Sequence, residues 1–286
     1  MWRGVPMLGL SIVALAGCGG SGSSGQETVI AAFYPLAWAT DEIGGNDVDV
    51  ENLTPPGAEP HDIELTARDV EDVRGADLVL YLGSGFQPAL EQALENRDGP
   101  SLDLLERQEP MAGVVDEEQG AHDPHVWLDP SRFAAMVTRI AKELGREDAA
   151  SELAARLRAL DEELAAGLET CRRHEIVTSH AAFGYLAQRY GLKQIALTGL
   201  SPEAEPSPRD LESLVDEVER SGATTVFFET LVSPRLAETV AREAGVTTAV
   251  LNPIEGLTED EVASGDDYVS VMRANLQALR AALACN

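Results

Sequence analysis

The 286-residue sequence predicts an α/β protein of two lobes, each with a parallel sheet flanked by helices, joined by one long rigid helix. Three observations carry that prediction. Strand and helix patterns alternate over the first part of the chain, an unbroken helical stretch follows, and the alternation then resumes, which is the signature of βαβ units and parallel sheets. The chain also exceeds the roughly 100–200 residues common for one domain. Its 44% hydrophobic residues supply apolar material for packed cores. The lobes are drawn over residues 27–131 and 171–286, with a helical connector over 132–170.

In the first lobe, "TVIAAFYP" from Thr28, "DVDVENLTP" and "ADLVLYLG" from Ala76 read as strands. The last two are separated by a helix that opens on a capping box, Thr66 with Asp69 three residues later. The connector begins with "SRFAAMVTRIAKELG", ending at Gly145, and continues as "EDAASELAARLRALDEELAAGLETC". The latter is rich in strong helix formers and, at about 1.5 Å per residue, reaches more than 30 Å. It is either a strut between lobes or a helix packed along its length in one core. From Glu175, strands "EIVTS", "KQIALTG", "TTVFFET" and "TTAVLNP" alternate with helices. Two of those helices open on Ser-Pro, with Ser207 and Ser233 expected at the N-cap and Pro208 and Pro234 at the first helical position. A final helix covers "DDYVSVMRANLQALRAALA".

The chain has 21 Lys and Arg against 49 Asp and Glu, a formal charge of -28 that repels nucleic-acid phosphates and argues against nucleic acid as a partner. The amino-terminal "MWRGVPMLGLSIVALAGC" has one basic residue, Arg3, an apolar run and then small residues, and reads as a secretion signal over residues 1–18. Its ending Leu15-Ala16-Gly17-Cys18 resembles a bacterial lipobox, in which Cys18 is lipidated. An ordinary signal peptide with an incidental cysteine is the alternative. Residues 19–26 contain "GGSGSSG", a flexible tether suited to an anchored protein. The expected location is outside the cytoplasmic membrane, lipid-anchored at its outer face, at the cell surface or in the periplasm. Cys171 and Cys285 remain as an even pair in an oxidising compartment; a disulfide between them or two unpaired thiols are both open.

The chain has only five histidines. His61 follows the second strand, His125 lies in "HDPHVWLDP" before the connector, and His180 directly follows "EIVTS". Ligands of open parallel sheets collect outside the carboxyl ends of strands, so convergence of these imidazoles would place a site between the lobes. Pro124 and Pro130 restrict the backbone around His125, and Trp127 is expected to pack beside it and exclude water. His122 is read as a loop neighbour and His174 as a surface residue near Arg172 and Arg173.

The segments "PPGAEPHDIELTARDV", "DPHVWLDP", "VTSHAAFGYLAQRYGL" and "GDDYVSVMRANL" resemble the zinc or manganese solute-binding lipoproteins of bacterial ABC transporters, solute-binding protein family 9, over nearly the whole mature chain. The resemblance implies four metal ligands, one from each segment: His61, His125, His180 and Asp266. Asp267, adjacent, and Glu229, at the end of "TTVFFET", are alternatives for the fourth place, with Glu229 also a candidate for supporting a ligand from behind. It further implies Zn(II) as transported cargo, with Mn(II) as the alternative, and an ABC permease as partner. Imidazole nitrogens with a carboxylate suit first-row divalent ions, zinc in particular. The family's manganese-selective pattern has glutamate at the place of His180. Many zinc-specific members carry a long histidine-rich loop before the "DPH" motif, whereas "MAGVVDEEQGAHDPH" is short and almost free of histidine. The rivals are a secreted zinc hydrolase, for which the sequence has neither an HExxH helix nor a G-x-S-x-G elbow, and a metal-containing surface adhesin.

Overall fold

A computed structural model of the chain describes residues 1–2, 26–108, 115–116, 121–202 and 206–286. The bulk of the expected signal segment, Cys18 and most of the tether lie outside the described residues. Among the described residues, no helix is long and apolar enough to cross a membrane.

The first half opens with β1 (Glu27–Ala31) and α1 (Tyr34–Gly44), followed by β2 (Val48–Asn52) and α2 (Ala67–Gly75). Then come β3 (Leu78–Tyr81), α3 (Pro88–Leu94) and β4 (Ser101–Asp103). These strands form one parallel sheet in the order β2-β1-β3-β4. Central β1 buries Val29, Ile30 and Ala31 completely, as expected of a strand covered on both faces. A two-residue antiparallel ladder, β5 (Val115–Asp116) with β6 (Ala121–His122), precedes the connector. The capping box at α2 is formed as the sequence predicts, with the Thr66 hydroxyl accepting from the Asp69 amide.

The connector consists of α4 (Pro130–Glu143), whose N-terminus is capped by Asp129, and the 22-residue α5 (Glu147–Leu168). Both readings of α5 hold at once. It joins the lobes, and it is packed along its length, because Leu153, Leu157, Leu160, Leu164 and Leu168 recur at helical spacing and are all buried. It lies against α1 and α4 on one side of the molecule. On the other it meets α6 (Gly184–Tyr190) and α10 (Tyr268–Leu283). Ion pairs repeat the pattern: Arg156 with Glu42 of α1, Asp161 with Arg189 of α6, and Glu163 with Arg273 of α10.

The second half runs β7 (Glu175–Thr178), α6, β8 (Lys193–Ala196), α7 (Pro208–Ser221), β9 (Thr225–Phe228), α8 (Arg235–Ala244) and β10 (Thr247–Val250), then α9 (Glu259–Ser264) and α10. Its parallel sheet has the order β10-β9-β7-β8. Ser207 and Pro208 occupy the N-cap and first helical positions of α7 as predicted. At α8 the start is displaced by one residue: Pro234 is itself the N-cap, with no side-chain cap, so Ser233 does not serve as one. Proline's fixed φ suits either position, and the serine is exposed with no role at the helix start.

One apolar cluster runs from the first sheet through α4 and α5 into Ile176, Phe183, Phe227 and Tyr268 of the second half. A smaller cluster, including Val177, Val218, Val226 and Val240, fills the far side of the second sheet. The lobes therefore share a core. Cys171, just beyond α5, and Cys285, just beyond α10, form a disulfide across 114 residues of chain. The same junction is held by the amides of Arg172 and Arg173, which both donate to the Leu283 carbonyl. Replacing both cysteines by serine is expected to cost about 2–4 kcal/mol of stability. Denaturant unfolding without reductant measures it, and reductant should lower the parent protein but leave the double variant unmoved.

Candidate metal centre

His61 and His180 lie beyond the carboxyl ends of parallel strands, and His125 lies between β6 and α4. His61 lies in the loop after β2, its turn braced by the Asp62 amide donating to Glu59 Oε2 at 3.3 Å. His125 opens a 3-10 turn ahead of α4, and His180 stands two residues beyond β7. The three converge with Glu255, which follows β10 by five residues. Glu255 Oε1 lies 3.3 Å from His61 Nε2, 3.0 Å from His125 Nε2 and 3.2 Å from His180 Nε2. One donor atom from each of the four residues lies within 4.8 Å of all the others. His125 and His180 have no exposed surface, Glu255 has 1%, and the His61 side chain keeps 9%.

Two imidazoles are held from behind by carboxylates. Asp123 Oδ1 accepts from the His125 amide at 2.9 Å and from His125 Nδ1 at 2.8 Å. Glu229 Oε1 accepts from His180 Nδ1 at 2.6 Å and also from the Ser179 hydroxyl. With the Nδ1 protons committed outward, the Nε2 atoms face the common centre and are the ring nitrogens it offers to a cation. Thr178 and Gln194 fix the backbone of His180 by donating to its carbonyl at 2.7 and 2.9 Å.

The electrostatics follow from this geometry. Burial drives the His180 imidazolium down, but the charges of Glu255 and Glu229 outweigh it and push His180 up to about 10. Burial opposes protonation of His125 too, and its bonds to Asp123 and Glu255 reverse the direction and raise it. His61, without a carboxylate behind it, is lowered, burial being the larger influence. Burial would raise Glu255, yet the surrounding imidazoles hold it well below the usual carboxylate range. Glu59, at the rim, is pushed up to about 8 by burial and by the Glu255 charge.

An aromatic wall keeps the centre dry. Phe86 meets the His61 ring edge-on at 4.7 Å between centroids, and Phe33 packs against both Phe86 and Trp127 at 5.0 and 4.7 Å. Trp127 is fully buried as expected, and it also has a specific bond: its indole N–H donates to the Pro253 carbonyl at 2.8 Å. Tyr268 in turn donates to the Trp127 carbonyl at 2.6 Å. The Glu255 loop is thus tied to the His125 loop. Ile254, the residue before Glu255, is held at φ 57°, in the left-handed region that costs a β-branched residue about 1–3 kcal/mol.

The structure brings His61, His125 and His180 together and does not bring Asp266 to them. Asp266 Oδ1 accepts from the Ser270 hydroxyl at 2.9 Å, and Asp267 Oδ1 caps α10 by accepting from the Ser270 amide at 2.7 Å. The physical reason is that the residues before α10 are spent on its capping box, while the Leu251–Leu257 loop passes over the histidines. Glu229 stands behind His180, touching Nδ1 rather than the shared centre. His122 and His174 are exposed. Glu255 was missed by sequence reasoning, although the rule that located His180, a polar residue shortly after the carboxyl end of a parallel strand, applies equally to "TTAVLNPIEG".

Three imidazole nitrogens and one carboxylate oxygen, buried where two α/β lobes meet and oriented from behind, define a two-lobed binding protein for a small cation. The profile of the zinc-uptake complex component A periplasmic family, ZnuA, matches residues 29–282, and the chain belongs to that family. It is 36% identical over 280 residues to the zinc-binding lipoprotein AdcA of Streptococcus pneumoniae serotype 4, covering 90% of this chain. The chain spans only 56% of that relative's length. Against the high-affinity zinc uptake system protein ZnuA of Bacillus subtilis it is 32% identical over 311 residues, covering 99% of this chain and 98% of the relative. Among solved structures, the Zn(II)-bound ZnuA-like domain of S. pneumoniae AdcA superposes with a TM-score of 0.78 at 35% identity, over 91% of this chain and 99% of that one. The laminin-binding protein Lmb of Streptococcus agalactiae, described as bifunctional with adhesin and metal-transporting activity, gives a TM-score of 0.81 at 30% identity, over 90% and 99%.

Substituting Glu229→Gln or Asp123→Asn is expected to weaken binding of a divalent cation by about 10–100-fold by releasing the imidazole behind which each sits. Asp266→Ala should leave the affinity unchanged. A competition titration with a chromogenic chelator reads all three.

Proposed function

We propose that this chain is an extracytoplasmic receptor that captures Zn(II) between its lobes and delivers it to an ABC permease in the membrane for uptake, with Mn(II) as the alternative cargo. The observation that carries this reading is the convergence of His61, His125 and His180 Nε2 with Glu255 Oε1, donor atoms within 4.8 Å of one another and almost wholly buried. His61, His125, His180 and Glu255 are the proposed ligands, Glu255 taking the place expected of Asp266. Three nitrogens and one oxygen in a closed four-donor set suit zinc, whereas manganese favours more oxygens and a larger coordination number. The Zn(II)-bound relative supports the same choice.

In this reading the lobes are residues 27–131 and 171–286 and the connector residues 132–170, with residues 1–18 a secretion signal, 19–26 a tether and Cys18 the lipid anchor at the outer face of the membrane. The continuous core through α5 supports a carrier that moves its loops more than its lobes. A hydrolase would need an open coordination position for activated water, and Glu255 fills that position.

Purified metal-free protein is expected to take up one Zn(II) per chain tightly and to turn over no ester or peptide substrate. Replacing His61, His125 and His180 together by alanine should abolish uptake, and retention of tight binding in that variant refutes the reading.

Binding should also release protons. At pH 7 His180, held at about 10 in the metal-free protein, carries a proton that zinc must displace, and His125 is shifted in the same direction. Calorimetry in buffers of different ionisation enthalpy is expected to show about one to two protons released per ion. Affinity should strengthen as pH rises through neutrality and fall in acid, where the imidazoles keep their protons. Zinc uptake without proton release would contradict the arrangement described.

A further inference from the structure

The loop that carries Glu255 is fixed by two asparagines to which no ligand or capping role has been assigned. The Asn275 side chain, projecting from the middle of α10, makes a reciprocal pair with the backbone of Asn252. Its Oδ1 accepts from the Asn252 amide at 2.8 Å, and its Nδ2 donates to the Asn252 carbonyl at 2.6 Å. The Asn252 side chain then directs the next turn. Its Oδ1 accepts from the Ile254 amide at 2.7 Å, and its Nδ2 donates to Glu261 Oε1 at 3.0 Å and Thr230 Oγ1 at 3.1 Å. Both asparagines are buried, at 2% and 3% exposure. The Ile254 amide bond is the contact adjacent to Glu255, and it holds the residue whose φ is 57°.

We propose that Asn275 and Asn252 are a positioning pair that presents Glu255 to the metal, so that cargo affinity is governed from helix α10. The inference rests on the metal-binding reading above and adds which residues set the fourth ligand. Neither asparagine touches the metal centre. Without Asn275, the Asn252 backbone loses both partners, the turn that forces Ile254 into its left-handed conformation loses its footing, and the carboxylate is free to leave the imidazoles. Helix α10 is also held to α5 by Arg273 with Glu163 and, past its end, by the Cys171–Cys285 disulfide. Its position is therefore that of the connector, and through Asn275 it becomes the position of the ligand.

The test compares Asn275→Ala, Glu255→Ala and the double variant with His125→Ala as a control, each titrated with Zn(II) against a chelator and followed for dissociation by stopped flow. Asn275→Ala is expected to weaken zinc by about 10–100-fold, mainly through faster dissociation, a size typical of residues that orient ligands. In the Glu255→Ala background the same substitution should add nothing, the non-additivity expected of two residues acting through one contact. Equal losses in both backgrounds, or unchanged affinity in Asn275→Ala while His125→Ala abolishes binding, would overturn the proposal and leave the metal-binding reading intact. Undiminished zinc binding by His125→Ala would remove that reading and the proposal with it. Should Asn275→Ala fail to fold, Asn275→Asp keeps the acceptor for the Asn252 amide, loses the donor to its carbonyl, and is judged by the same cycle.

Discussion

Everything in the site turns on one carboxylate oxygen that has been taken out of water. Glu255 Oε1 meets three imidazole nitrogens at 3.0 to 3.3 Å and has almost no exposed surface. A buried carboxylate without a partner costs several kcal/mol, so this oxygen demands positive charge, and only protons on the imidazoles or a cation among them can supply it. The two are alternatives because they compete for the same Nε2 lone pairs. The fold is arranged to bring four segments, distant in sequence, to the one place where that demand is met.

The carboxylates behind the imidazoles extend the argument. Asp123, Glu229 and Glu255 together place three negative charges against His125 and His180. When both imidazoles hold protons the group carries one net negative charge, and when both are neutral around a divalent cation it carries the same. The protein around the site therefore experiences little electrostatic change between the two states, and the carboxylate pair need not rearrange. Glu59, pushed up to about 8, stays protonated at neutral pH and adds no fourth charge at the rim. On the proposed reading His61, lowered and partly exposed, is the one imidazole a cation meets without first displacing a proton.

The three histidines were legible in the sequence because they are scarce, lie in loops of the first half or just past a strand end, and stand in motifs with a known resemblance. Long α5 was legible from helix formers, and its packing from leucines at helical spacing. Glu255 was hidden for the opposite reason: one carboxylate among 49 Asp and Glu carries no compositional signal. Asp266 was misleading because "GDDYVS" has the look of a ligand and of a helix cap alike, and in the structure Asp267 is the cap while Asp266 accepts from the Ser270 hydroxyl beside it. What separates the two candidates is the path of the Leu251–Leu257 loop. That path depends on the Trp127 indole reaching Pro253 and on Asn275 reaching Asn252, bonds across 126 and 23 residues that no local pattern encodes. The displaced start of α8 is a smaller instance, since proline is compatible with both sides of a helix boundary.

The relative strength of these connections decides what can move. Separating the lobes would strip α5 from α1 and α4 or from α6 and α10, uncovering part of a face whose buried leucines are worth about 1.5–3 kcal/mol each. Moving the Glu255 loop would instead exchange with water two bonds from Asn275, one from Trp127 and one between Gly57 and Leu257. At about 0.5–1.5 kcal/mol net apiece those bonds amount to roughly 2–6 kcal/mol, to which the burial of Leu251, Ile254 and Leu257 adds and from which relief of the left-handed Ile254 subtracts. On the proposed transport reading, a docking partner therefore acts on the Glu255 loop locally and leaves the core that runs through α5 intact. With Glu255 withdrawn, the ion would keep three imidazoles and water could enter the vacated place, a set that still holds zinc. Withdrawal would therefore weaken the site, and release would need a further ligand to let go, for which partly exposed His61 is the accessible one.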